Sequence, residues 1–104
     1  MADIVIPEFM DLEAAELLQK EYGAHWDRDL WKRRPELFEH LADARAIVVR
    51  NQTLVNNELL AAAPKLRVVA RMGVGLDNID LVACKARGIE VCPSIGANAL
   101  SVAE

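Results

Sequence analysis

The chain has 104 residues, 53% of them apolar and 27% charged, which fits one small folded domain with a single core and excludes a disordered segment. Its net charge of −4 comes without any lysine or arginine stripe, which argues against nucleic acid as a partner. No apolar run reaches the roughly 18 residues of a membrane span, so no membrane partner is expected.

The amino terminus carries Asp3 and no basic stretch, so no signal peptide is visible. Cys84 and Cys92 lack metal-type spacing and read as free thiols of a reducing compartment, which makes a cytoplasmic location the expectation. His25 and His40 have no cysteine or acidic pair at ligand spacing, and no metal site is expected.

In chain order, Ile4-Val5-Ile6 before Pro7 predicts a first buried strand. Asp11 suits a helix cap, Leu12, Ala15, Leu18 and Tyr22 recur at helical spacing, and Gly23 closes that helix. Residues 24–31 read as a short edge strand and a loop. Arg28, Lys32, Arg33 and Arg34 are interspersed with Asp27, Asp29 and Glu36 and read as a solvated face. Pro35 suits a first helical turn, followed by a face of Leu37, Phe38 and Leu41. Residues 45–50, with β-branched Ile47, Val48 and Val49, predict a strand covered on both sides.

Thr53 suits a cap on the following turn. Asn56 or Asn57 suits the cap of a short helix through Leu59, Leu60 and Ala63, ended by Pro64. Residues 66–72 predict a fourth strand. Asp80 is the expected cap of a helix over 81–87, Gly88 its C-terminal stop, and 89–92 a fifth strand. Ser101 and Glu104 have capping-box spacing, so a last helix is expected to begin there and to be cut short by the end of the chain.

Strands alternating with helices imply an α/β fold: a flavodoxin-like three-layer arrangement around a five-stranded parallel sheet of order 2-1-3-4-5, with a truncated C-terminal helix. Such sheets bind ligands beyond the carboxyl ends of their strands, at the switch in strand order, here between the first and third strands. The loops expected there are 7–10, 50–53 and 72–75, with 93–98 at the neighbouring edge.

Gly73-Val74-Gly75 is the strongest local signal. Two glycines around one residue either present bare N–H groups to a carboxylate or phosphate, or serve only a tight turn. A dinucleotide fingerprint is not completed, because Asn78 stands where the third glycine belongs. Arg50, at the end of its strand, either holds a small anion or extends to solvent. Glu8 and Asp77 are the acids expected on this rim. No Ser-His-Asp, Cys-His or paired-carboxylate pattern accompanies them, and Cys92 has no local base, so no catalytic residue is expected in the chain.

The run Arg71-Met72-Gly73-Val74-Gly75-Leu76-Asp77-Asn78-Ile79-Asp80, then Ala86-Arg87-Gly88-Ile89 and Ser101-Val102-Ala103-Glu104, resembles the D-isomer-specific 2-hydroxyacid dehydrogenases. The resemblance implies that residues 1–98 are most of a substrate-binding domain and that 99–104 begin the crossover helix to a Rossmann domain holding NAD, or alternatively NADP. It implies that the N–H groups of Val74 and Gly75 bind the carboxylate of a small 2-hydroxy or 2-oxo acid. It further implies that Val74 lies against the nicotinamide and that Arg50 and Asn51 face the substrate. The family's dinucleotide fingerprint and its catalytic arginine, glutamate and histidine would lie beyond residue 104. The chain alone is therefore expected to bind no cofactor and to be inactive, while the parent would be an oxidoreductase and a homo-oligomer.

Two departures stand out. Pro93 and Ile95 occupy a loop where the family often has Asn and Pro, with Asn98 retained. The run after the third strand reads Asn51-Gln52-Thr53, so a cation usual in the family is lost at Gln52, which disfavours a phosphorylated substrate and favours a smaller or differently charged one. Two other readings compete: a free-standing flavodoxin-like small-anion module, and a fold fragment that self-associates through exposed apolar surface. An FMN site would need a Ser/Thr/Gly-rich loop after the first strand, and residues 7–10 are not one.

Overall fold

A computed structural model describes residues 3–9, 12–50, 52–72 and 78–95. Strand β1 (Ile4–Ile6) leads to helix α1 (Leu12–Tyr22) and edge strand β2 (His25–Trp26). A 3-10 turn (Leu30–Lys32) and α2 (Arg34–Leu41) precede β3 (Ala46–Val49). Then come α3 (Asn57–Ala61), β4 (Val68–Met72), α4 (Leu81–Ala86) and β5 (Glu90–Ile95). The sheet has the order β2-β1-β3-β4-β5 and every pairing is parallel, as the alternation of strand and helix predicts.

Local chemistry explains most boundaries. The Asn56 side chain accepts from the Leu59 N–H at 3.1 Å, and the Asp80 side chain accepts from the Ala83 N–H at 3.0 Å, so both short helices start on side-chain caps. Gly23 and Gly88 follow α1 and α4 in the left-handed region, at φ 65° and 72°, where a side chain would be strained. Strand β5 runs three residues past its predicted end, with a register irregularity opposite Ala70–Met72.

The sheet separates two cores. On one face Val5, Ile47, Val49 and Val69 meet Leu37 and Leu41 of α2, Leu59 and Leu60 of α3, and Ala83 and Cys84 of α4. On the other, Ile6, Val48 and Ala70 meet Ala15 of α1, with Ala14 and Leu18 packed beside them. Successive strand residues thus point to opposite faces. Of the four residues at helical spacing in α1, Ala15 is buried and Leu18 packs against the same core, while Leu12 and Tyr22 are 57% and 62% exposed. Leu12 lies roughly a third of a turn round from the face formed by Ala14, Ala15 and Leu18, and Tyr22 is the helix's last residue.

Candidate functional site

The carboxyl ends of β1, β2 and β3 surround a hollow of about 300 Å³. Its first wall is the segment after β1. Glu8 is 1% exposed and its carboxylate turns back under the loop after β3. Oε2 accepts from the N–H groups of Arg50 at 2.7 Å and Thr53 at 2.9 Å, and Oε1 from that of Gln52 at 2.8 Å. From the far side, the Asn78 side-chain amide donates to the carbonyls of Arg50 at 3.1 Å and Thr53 at 2.7 Å. A parallel bridge between Val55 and Ile79 ties the same two loops together below that point. The Arg50–Thr53 loop is thereby held through both its donors and its acceptors, which gives the Arg50 guanidinium a fixed base at the switch in strand order.

The second wall is the segment after β2. The Trp26 indole donates to the Glu8 carbonyl at 3.0 Å, and the Trp31 N–H donates to the Pro7 carbonyl at 3.0 Å. These bonds bring Arg28, Asp29, Trp31 and Lys32 round to face Arg50 and Gln52 across the hollow. Phe9 stands on its rim, 46% exposed, with the guanidinium of Arg28 5.1 Å from its ring centre and that of Arg50 5.7 Å from it. The Lys32 ammonium lies 5.5 Å from the Trp31 ring centre and 3.6 Å from the Asp29 carboxylate. Among the described residues, neither Arg28 nor Arg50 forms an ion pair.

One expectation is refined here and another corrected. The basic run at 28–34 is exposed at Arg28, Lys32 and Arg33, as expected of a solvated face, and half-buried at Arg34. Arg33 pairs with Asp27 and Glu36, and Arg34 reaches the Leu54 carbonyl at 3.3 Å and Glu58 at 3.4 Å, while Arg28 and Lys32 turn to the hollow. Burial pushes the Asp27 carboxyl up, but the Asp29 N–H and the Arg33 guanidinium outweigh it and hold the group below its usual range. Thr53 caps nothing with its side chain: its buried hydroxyl has no hydrogen-bond partner among the described residues, and its backbone carries the loop instead. Burial, with Asp80 nearby, pushes the Cys84 thiol up, which suits a core residue and not a nucleophile.

Of the site residues expected from sequence, Arg50 lines the hollow, while Asn51, Val74 and Gly75 lie outside the described residues. The two loops predicted to meet at the switch, after β1 and β3, do meet. Missed were the anchoring role of Glu8 and the whole contribution from behind β2. The carboxyl-end rule contained that signal, because β2 is the immediate neighbour of β1. A second hollow, of about 470 Å³, sits at the amino-terminal ends of β3, β4 and β5 among Arg45, Lys65, Arg67 and Arg87. It is larger, but it lies at the end of the sheet where open α/β folds do not build their principal sites.

Residues 4–104 match the family described as D-isomer specific 2-hydroxyacid dehydrogenase, catalytic domain. The whole chain is 47% identical to part of an (S)-sulfolactate dehydrogenase from Chromohalobacter salexigens, covering 34% of that protein. A stretch of 71 residues, 68% of the chain, is 49% identical to a D-3-phosphoglycerate dehydrogenase from Mycobacterium leprae and covers 13% of it. The chain thus spans about a third or less of the length of these relatives.

Among solved structures, the fold is shared with an NAD+-bound 3-phosphoglycerate dehydrogenase of Entamoeba histolytica, at a TM-score of 0.73 and 24% identity over 86% of this chain and 32% of that one. It is shared also with a D-lactate dehydrogenase of Aquifex aeolicus in complex with NAD and lactic acid, at 0.67 and 27% over 85% of this chain and 26% of that one.

Proposed function

The chain belongs to the D-isomer specific 2-hydroxyacid dehydrogenase family, and from that membership we propose that it is the substrate-binding part of an NAD-dependent enzyme acting on a small 2-hydroxy or 2-oxo acid. Residues 1–98 form the substrate domain and 99–104 begin the crossover into the cofactor domain. Arg50 and Asn51 face the acid, the N–H groups of Val74 and Gly75 take its carboxylate, and Val74 lies against the nicotinamide. The observation that carries this reading is the doubly fastened Arg50–Thr53 loop, which aims an arginine without a carboxylate partner among the described residues into a hollow at the β1–β3 switch.

Helix α4 offers the NAD pyrophosphate no free N-terminal cradle. Helix α4 opens with the Asp80 carboxylate already on the Ala83 N–H, a negative charge where a pyrophosphate would need a donor. NAD, when bound, supplies the hydride acceptor; this chain's own residues bind and orient the acid, and the group that moves the hydroxyl proton belongs to neither described loop. NAD as the cofactor with NADP as the alternative, a cytoplasmic setting and a homo-oligomeric parent complete the proposal. The last is supported by Leu54, Leu81 and Val82, all large and exposed, Val82 by 79%.

The test is a titration of the purified chain with D-lactate followed by amide NMR. Shifts centred on residues 50–53 and 73–75 are expected, with no NAD-dependent turnover. Turnover by the chain alone, or lactate shifts confined to the opposite rim at Arg45 and Arg67, would overturn it.

A further inference from the structure

We propose that the hollow at the amino-terminal ends of β3, β4 and β5 is a second ligand site, separate from the hydroxy-acid site and independent of that reading, and that it takes the linked phosphoryl groups of a di- or triphosphate. The linear sequence hides it. Its cations come from positions 45, 65, 67 and 87, too far apart to form a basic run, and the parallel sheet brings them to one rim. The chain is acidic overall, with 12 lysines and arginines against 16 aspartates and glutamates, yet four of the 12 line this hollow. Lys65 pairs with Asp43 at 3.3 Å, an exposed contact that a stronger anion can displace. Among the described residues, Arg45, Arg67 and Arg87 form no ion pair.

The backbone fixes where two of these arginines stand. Ala46 and Val68 are partners in the β3–β4 register, so Arg45 and Arg67, one residue earlier, open adjacent strands about 4.8 Å apart. The Arg45 carbonyl accepts from the N–H groups of Arg67 at 2.8 Å and Val68 at 3.2 Å, and the Arg67 carbonyl accepts from the Glu90 N–H at 2.9 Å. Arg87 enters from the end of α4, and Gly88 beside it has nothing within 4 Å of where a Cβ would stand, which leaves that wall open.

A cation at a helix carboxyl end has a structural use, because it offsets the partial negative charge of the last carbonyls. That accounts for Arg87, the C-cap of α4. It does not account for Arg45 and Arg67, since they begin strands and a sheet has little net dipole. Like charges held on adjacent strands repel, and a bound polyanion offsets that cost. At about 470 Å³ the hollow has room for a run of charges, and its cations stand on three separate segments. Successive phosphoryl groups match this arrangement, each able to take a forked guanidinium contact.

The test is a titration of the purified chain at low ionic strength with orthophosphate, pyrophosphate, tripolyphosphate and ATP, followed by amide NMR and thermal melting. Tripolyphosphate is expected to shift the amides of residues 44–46, 65–68 and 87–90 and to raise the melting temperature. It is expected to bind about tenfold or more tightly than orthophosphate, the effect of one or two further charge-assisted contacts. Arg67→Gln, at an exposed side chain, is expected to weaken tripolyphosphate about tenfold without lowering the melting temperature of the free chain. Lys20→Gln removes the same charge from the exposed end of α1 and is expected to leave binding within about twofold. Tighter binding of ATP than of tripolyphosphate assigns the site to a nucleotide, and equal binding assigns it to a free phosphate chain.

The shift map and the ratio of tripolyphosphate to orthophosphate affinity are read on the unaltered chain and need no variant. Equal affinity for those two anions overturns the site, as do shifts centred on residues 28–32 and 50–53. Equal weakening by Arg67→Gln and Lys20→Gln reduces it to the general attraction of a positive surface and overturns it too. So does the absence of binding by all four probes.

Discussion

Glu8 is almost wholly buried and forms no ion pair among the described residues; its two oxygens are met instead by three peptide N–H groups of one loop. A buried acid in that position is a positioning residue: it converts a loop tip into a rigid mount for Arg50. Glu8→Gln replaces one acceptor oxygen by an NH2 facing a peptide donor, leaving a donor unsatisfied and two donors opposed. We expect a loss of about 1–3 kcal/mol in urea unfolding, together with weaker lactate binding. Unfolding at the wild-type midpoint would show that the three N–H groups do not depend on this carboxylate. Strand order alone places Glu8 on the ligand rim. It does not say that the side chain folds back onto residues 42 or more positions later in the chain, because that depends on the depth of one loop beneath another, which no spacing encodes.

At the scale of elements, the least legible was β2, two residues long and paired, among the described residues, with β1 alone. Helices α3 and α4 announce themselves through Asn56, Asp80 and Gly88, whereas an edge strand this short has neither periodicity nor caps. Its placement depends on tertiary contacts, and one of these titrates. The His25 ring stacks on that of His40 from α2, with centroids 4.0 Å apart and planes 16° from parallel. Burial, then the His40 charge, lowers the His25 pKa, and Asp27 and Glu36 only partly oppose this. The folded-state value lies below the ordinary value of about 6.5, so the unfolded chain takes up the proton more readily. Stability from this group is complete above that ordinary value and is lost as pH falls through the folded-state one. Melting temperature is therefore expected to drop on acidification below about pH 6.5, and the drop to be smaller in His25→Phe, which keeps a ring on the stack but cannot titrate. Identical acid dependence in the two proteins would remove His25 from the account.

For the molecule as a whole, the parallel sheet and its order follow from the alternation of β-branched runs with capped helical segments, and the site's location follows from that order. What alternation does not reveal is how unequally the two faces are clothed. Three helices cover one face, with a continuous cluster running from Val5 to Ile89, while the described residues put α1 alone over the other. Val48 and Val49 are neighbours on β3 with the same side chain, and they point into opposite cores. Each loses two methyl groups on conversion to alanine, so the transfer part of the cost is shared and the cavity part is not. Around Val49, residues from several helices hold the void open. Around Val48 the partners are few and small, among them Ala15 and Ala70, and a single helix can settle toward the sheet. Val49→Ala is accordingly expected to destabilise by about 1 kcal/mol more than Val48→Ala in urea unfolding of the same chain. An equal or larger cost at Val48 would mean that the α1 face is packed as rigidly as its opposite, and that the two-core description of this sheet is wrong.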